Sequence, residues 1–102
     1  MKLVISAAAR LEEREAAAWY RAKNPNLPKR FRAELKIVLG RVATTPRQFP
    51  VIVDDYRQAL LSVFPYAVIF EIADKTILVI AIAHLSRFPA YWLDLSNKPT
   101  HN

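Results

Sequence analysis

The chain has 102 residues, of which 53% are hydrophobic and 24% are charged, a length and composition typical of one folded domain. Because cysteine is absent, disulfides, zinc-thiolate sites, iron-sulfur ligation and a cysteine nucleophile are excluded. Gly40 is the one glycine, which excludes a glycine-rich phosphate-binding loop. His84 and His101 have no spaced carboxylate motif around them, so we expect neither a metal nor another cofactor.

The apolar segments of the chain are short. The longest, residues 77–83, falls far below the roughly 20 residues that a membrane-spanning helix needs. The apolar segment near the start is shorter than the core of a signal peptide and soon meets Glu12 and Glu13. These observations predict a cytoplasmic protein with no membrane partner.

Positive charge is concentrated in the first half of the chain. The formal net charge is +6, and residues 1–48 contain 11 Lys and Arg against 4 Asp and Glu, whereas residues 49–102 contain 4 against 5. Such a density of cations attracts nucleic acid or an acidic protein. A solvated helix face explains it equally well, and the charge alone names no partner.

The first half reads as a strand followed by a helical hairpin. Residues 2–6 form a short apolar run, and residues 8–23 are rich in the strong helix formers Ala, Glu and Arg. The sequence Asn24-Pro25-Asn26 ends this helix, and Pro28 suits the first turn of a second one, which stops at Thr44-Thr45-Pro46. The apolar residues of the second helix recur at three- and four-residue spacing and predict one buried face: Leu27, Phe31, Leu35, Val38, Leu39 and Val42.

The second half reads as an antiparallel meander. Runs of β-branched and aromatic residues predict strands at 51–53, 56–63, 66–72 and 76–83. Phe64-Pro65 marks one corner, and Asp74-Lys75 is a turn signal before the last strand. Because residues 77–83 are apolar on both faces, this last strand is expected to be central and covered on both sides.

The two faces of the central strand need different covers. The helical hairpin can cover one face, and a short C-terminal helix within residues 89–95, or a second protein, can cover the other. Residues 1–95 are therefore expected to form a single domain, followed by a flexible tail at 96–102. The fold class that these elements predict is α+β.

Four residues near the sheet have a chemical rationale. His84 follows the central strand and precedes Arg87 and Tyr91, so that a base, a cation and a phenol meet at one strand end. Arg57 is the other isolated arginine, and such a residue beside an apolar sheet either pairs with a carboxylate or binds an anion. The structural alternatives are a hydrogen-bonded histidine, an ion pair of Arg57 with Asp54 or Asp55, and aromatic packing of the C-terminal segment.

Several short sequence segments resemble those of a known protein family. They are Ala16-Ala17-Ala18-Trp19-Tyr20, Phe49-Pro50, Arg57-Gln58-Ala59-Leu60-Leu61, Phe64-Pro65-Tyr66-Ala67-Val68-Ile69-Phe70 and Ala83-His84-Leu85-Ser86-Arg87-Phe88-Pro89-Ala90-Tyr91-Trp92. With the element order above, the chain resembles the RelE/ParE superfamily of toxins from type II toxin-antitoxin systems over residues 1 to about 95. The resemblance implies a short N-terminal strand, a helical hairpin on a mainly antiparallel sheet and a short C-terminal helix.

The resemblance implies a growth-arresting toxin that assembles with a cognate acidic antitoxin into a hetero-oligomer, and plasmid stabilisation is among the roles expected of it. Superfamily members act either on DNA gyrase or, as endoribonucleases, on messenger RNA at the ribosome, and an inactive domain is a third reading. If the protein is an RNase, Arg57, His84, Arg87 and Tyr91 are the catalytic candidates, with Tyr91 as the late tyrosine of RelE-like enzymes. The strand before Phe64 lacks their lysines, and Ala67 stands where they have arginine. These departures favour gyrase inhibition, with RNA cleavage as the alternative and the question of an enzyme left open.

Overall fold

A helical hairpin lies on one face of a five-stranded sheet in the computed structural model, which describes residues 1–87 and 90–93. This is the α+β architecture that the sequence predicts. The elements in chain order are β1 (Lys2–Ile5), α1 (Ala7–Lys23), α2 (Leu27–Thr44), a 3-10 turn (Pro46–Gln48), β2 (Val51–Val53), β3 (Tyr56–Leu60), β4 (Tyr66–Ala73) and β5 (Thr76–His84).

Local signals set the ends of the two helices. The Ser6 side chain accepts a hydrogen bond from the backbone N–H of Ala9 at 3.1 Å, which satisfies one of the free donors in the first turn of α1. Asn24 ends α1, and Pro28 occupies the first turn of α2, where its missing N–H costs nothing. The 3-10 turn after α2, which begins at Pro46, is an element that the sequence did not predict.

The sheet has the strand order β1-β5-β4-β3-β2, so β2 to β5 form the predicted antiparallel meander. β1 lies at the other edge and runs parallel to β5, with Ile5 opposite Val79. The predicted third strand, 56–63, is too long, because β3 ends at Leu60. Beyond it, the backbone N–H groups of Ser62 and Val63 donate to the Glu34 carboxylate of α2, and this side-chain partner replaces the strand ladder.

β5 is an interior strand between β1 and β4 and is buried on both faces, as predicted. Ile77 and Val79 point to the helical hairpin, while Ile80 packs in a second apolar cluster on the opposite face. The pairing with β4 shifts here, because Phe70 is opposite Val79 but Ile69 is opposite Ala81, so Ile80 is an extra residue. The bulge reverses the alternation of the strand.

The second cluster is closed by the segment after β5. Tyr91 and Trp92 are buried there, and the Trp92 ring packs edge-on against Tyr56 with centroids 5.1 Å apart. Trp92 and Leu93 are helical, while the other residues of the predicted C-terminal helix that follow them, and the predicted tail at 96–102, lie outside the described residues.

The predicted apolar face of α2 is confirmed. Phe31, Leu35, Val38 and Val42 are at most 3% exposed in the core between hairpin and sheet, and two more residues of that face, Leu27 and Leu39, pack against it partly buried. The core therefore depends on the three- and four-residue spacing of this helix.

We expect Leu35→Asp to unfold the domain, because Leu35 is 2% exposed and burial of an unpaired carboxylate costs several kcal/mol, comparable with the whole stability of a small domain. Ala33→Asp is the matched control, since Ala33 is exposed on the same helix. Thermal melts followed by circular dichroism check this. Equal melting temperatures for Leu35→Asp and the native protein would contradict the assignment.

Candidate functional site

A cleft of about 370 Å³ opens where the end of β5 meets α1 and the segment that follows the strand. Its apolar part is formed in α1 and β5 by Ala16, Trp19 and Ile82. Its polar and ionisable lining comes from three elements: Glu12 and Glu15 of α1, Tyr66 of β4, and His84, Ser86, Arg87 and Tyr91 at and after the end of β5. Of the four predicted site residues, three are therefore together.

The Glu12 carboxylate contacts Ile82, Tyr91 and Arg87 in the cleft. One carboxylate oxygen accepts from the backbone N–H of Ile82 at 2.9 Å, and the other accepts from the Tyr91 hydroxyl. The Arg87 guanidinium lies 3.7 Å from the same second oxygen and stacks over the Tyr91 ring, 3.6 Å from its centroid. A single carboxylate thus fixes both the arginine and the tyrosine.

The unequal lengths of β1 and β5 explain why Glu12 is there. β1 pairs with β5 only as far as Val79, so among residues 1–87 and 90–93 no strand lies beside the rest of the outer edge of β5. The Ser6 hydroxyl donates to the Ile80 carbonyl at 3.3 Å, and Glu12 accepts from Ile82, so side chains near the start of α1 satisfy the backbone of that edge.

Burial is the largest cause of the raised pKa values of Glu12 and Tyr91. Burial raises the pKa of Glu12, while the hydrogen bonds from Tyr91 and Ile82 and the charge of Arg87 act in the opposite direction. The pKa of Tyr91 is raised well above that of a free phenol, first by burial and then by the Glu12 carboxylate that its hydroxyl bonds. Tyr91 is therefore a neutral donor held by Glu12.

His84 belongs to the same cleft but has its own partners. Its Nδ1 accepts from the Ser86 backbone N–H at 3.0 Å and lies 2.8 Å from the Ser86 hydroxyl, so a neutral ring carries its proton on Nε2. The ring packs edge-on against Tyr66, with centroids 4.9 Å apart. Burial also raises the pKa of Tyr66, with smaller contributions from Tyr20 and Glu12.

Arg57, the fourth predicted site residue, lies apart from the cleft. Its guanidinium donates to the carbonyls of Phe49 at 2.6 Å and Arg47 at 3.2 Å, and so holds the connection between α2 and β2. Within residues 1–87 and 90–93, no carboxylate lies within ion-pair distance of Arg57, so the expected pair with Asp54 or Asp55 is wrong. Those two aspartates form the β2–β3 turn, where Asp54 has a positive φ of 49°.

Glu12 is not among the site residues that the sequence predicts. In a helix rich in charged residues it reads as one more solvated side chain. Its position was nevertheless informative, because it lies three residues after Ala9 and four before Ala16, both buried. That spacing places it at the border of the buried stripe of α1.

A metal site and a membrane-spanning helix are two further features that the described residues could contain. In the part of the chain that the structure describes, no group of three or more His, Asp or Glu side chains is arranged to hold a metal ion. No helix among those residues is both long enough and apolar enough to cross a membrane.

Comparison with known proteins gives a family match and a structural match. Residues 3–88 match the family described as the ParE toxin of the type II toxin-antitoxin system, parDE. Among solved structures, the chain is similar to one described as the chromosomal ParDE TA system from P. aeruginosa, with a TM-score of 0.66 and 18% identity. That match covers 83% of this chain and 96% of the other, and at such identity it concerns the fold. No curated protein matches the chain significantly.

We expect Glu12→Gln to change the pH dependence of stability. Because the pKa of Glu12 is raised in the folded state, its contribution is fully present below the ordinary value of 4.5 and is lost as pH rises through the folded-state pKa. The stability of the native protein relative to Glu12→Gln should therefore fall as the pH rises from the ordinary value of 4.5 through the raised folded-state pKa of Glu12. Thermal melts across this range measure the difference.

Glu13→Gln is the control for this experiment, because Glu13 pairs with Arg32 at 3.3 Å on the other side of α1. A stability difference between the native protein and Glu12→Gln that stays constant with pH, or rises with it, would refute the assignment.

Proposed function

Because the chain belongs to the ParE family of toxins from type II toxin-antitoxin systems, we propose that it arrests growth by binding DNA gyrase in the cytoplasm, with no chemical step of its own. The toxin role follows from the family. The choice of gyrase as target, and of binding over catalysis, is the proposal.

The proposal rests on one observation: the ionisable groups that could cleave RNA are already bonded to other groups of the protein. Cleavage of RNA needs a base at the 2′-hydroxyl, a free cation for the phosphorane and an acid at the leaving oxygen. Arg87 and Tyr91 are both held by Glu12, and the raised pKa of Tyr91 opposes proton transfer. Arg57 is bound to backbone carbonyls away from the cleft. This arrangement supports binding rather than cleavage.

The family also implies an antitoxin that forms a complex with the toxin, and we propose that this partner is acidic. The net charge of +6 favours a partner of opposite sign. Exposed apolar side chains offer contact points, and Trp19 at the rim of the cleft is 57% exposed. An exposed tryptophan is a common anchor in protein interfaces.

In a supercoiling assay with purified gyrase, we expect the toxin to inhibit supercoiling and to trap cleaved DNA. Tyr91→Phe should change this inhibition by less than about twofold, because a binding mechanism does not use its proton. In a ribosomal translation assay, the messenger RNA should stay intact. Both assays check the choice of target.

The alternative gives a different pattern in the same two assays. An RNase would cut transcripts only with ribosomes present, and Tyr91→Phe or Arg87→Ala would each slow cleavage about a hundredfold or more. That result would overturn the gyrase proposal. Inactivity in both assays would indicate an inert domain and overturn it as well.

We expect Trp19→Ala to weaken antitoxin binding by at least about tenfold, since it removes a large exposed aromatic contact. The melting temperature of the toxin should change little because the residue is 57% exposed. Ile37→Ala is the control, at a position of α2 that is 64% exposed. Titration calorimetry with the cognate antitoxin measures both affinities; equal affinities for Trp19→Ala and the native toxin would exclude Trp19 as an anchor.

A further inference from the structure

The outer surface between the two helices carries a cluster of cations. On α1, Arg10, Arg14 and Arg21 are four and seven residues apart, so they lie on one side of that helix. On α2, Lys29 lies three residues before Arg32 and Lys36 lies four residues after it, so all three share one side of that helix. These six exposed residues are called the interhelix cation cluster.

The contacts of α1 place the Glu13 side of that helix next to α2. Glu13 accepts from Arg32 of α2 at 3.3 Å, whereas Glu12, on the other side of the buried stripe of α1, bonds to β5. Arg10 lies on the Glu13 side, towards α2, because it is three residues before Glu13, and Arg14 lies next to Arg10, four residues further along the helix. Arg10 and Arg21 are about 16 Å apart along the helix axis, given 1.5 Å per residue.

The charges of the cluster are largely uncompensated. Within residues 1–87 and 90–93, Arg32 is the one member that forms an ion pair, with Glu13. The other five keep their charge exposed to solvent. Five free cations on one surface of a small domain bring about mutual repulsion, which a polyanion would relieve.

The composition of the surface indicates which polyanion. A protein interface needs an apolar centre, but the cluster itself consists of cations; Trp19 lies on the cleft side of α1, and Leu11, three residues before Arg14, lies at the border of the cluster. A single-stranded nucleic acid needs aromatic rings on which bases stack, and Trp19 lies on the cleft side of α1. What remains is a row of guanidinium and ammonium groups, which suits the phosphates of a duplex.

We propose that the interhelix cation cluster binds the phosphate backbone of double-stranded DNA without reading its sequence. The inference goes beyond gyrase inhibition and stands without it, because the experiment below measures DNA binding by the toxin alone.

The experiment compares the purified toxin with two triple variants of equal net charge. Arg10→Gln, Arg14→Gln and Arg21→Gln together remove the α1 row, while Lys2→Gln, Arg30→Gln and Lys75→Gln together remove three exposed charges from outside the cluster. All six positions are exposed, so melting temperatures close to that of the native protein are expected for both variants. The probe is a fluorescent 20-base-pair duplex of scrambled sequence, and anisotropy is measured across a range of salt concentrations.

We expect the native toxin to bind this duplex with a strong salt dependence, because each neutralised phosphate contributes about −0.9 to the slope of log affinity against log salt. The α1-row variant should lower the magnitude of that slope by about 2 to 3 and weaken binding more than about tenfold at low salt. The control variant should lose clearly less. Duplexes of different sequence should bind equally.

Four outcomes would overturn the proposal. They are absence of duplex binding by the native toxin at low salt, equal losses for the two triple variants, tighter binding of a single strand than of the duplex, and tighter binding of poly-glutamate of matched charge. The last of these would assign the cluster to an acidic protein instead.

Discussion

Strand β5 has apolar side chains on both faces, and the remaining architecture depends on covering both of them. Burial of one isoleucine or valine side chain contributes about 1.5 to 3 kcal/mol, so exposing either face would remove several times that amount from a domain with little stability in excess. The hairpin covers Ile77 and Val79, and the aromatic residues after the strand cover Ile80. A single strand therefore requires that the helical hairpin and the segment with Tyr91 and Trp92 pack on opposite faces of one sheet.

This constraint explains why a carboxylate is tolerated at the centre of the cleft. The chain enters the sheet through β1, which is too short to pair with all of β5, and then turns into α1. An unsatisfied backbone N–H at the uncovered edge would be costly, and Glu12 supplies the missing acceptor for Ile82. Its second oxygen is then available to hold Arg87 and Tyr91. The polar network of the cleft follows from a difference in strand length.

The features that sequence could predict are those that repeat with a regular period. The hairpin could be predicted from the helical spacing of Phe31, Leu35 and Val38, and the meander from the order of the strand-like runs. The resemblance to the toxin family could be predicted from short sequence segments. The bulge at Ile80 and the early end of β3 at Leu60 were not predicted, because both depend on partners far along the chain. The site was predicted in part for the same reason. His84, Arg87 and Tyr91 are neighbours in sequence, but Glu12 is 79 residues from Tyr91 and Arg57 bonds to carbonyls that no pattern marks.

Helix α1 therefore separates two kinds of surface. On one side of its buried stripe, Glu12, Glu15 and Trp19 line a cleft whose arginine is already paired. On the other side lie Arg10, Arg14 and Arg21, and within the described residues Glu13 pairs only with Arg32, so most of the positive charge of this surface has no ion-pair partner. A helix that served only to cover the sheet would have no reason to sort its charges in this way, since exposed positions away from contacts are nearly neutral for stability. The sorting is expected if the two sides meet different partners, one that contacts Trp19 at the cleft and a polyanion that binds the cations.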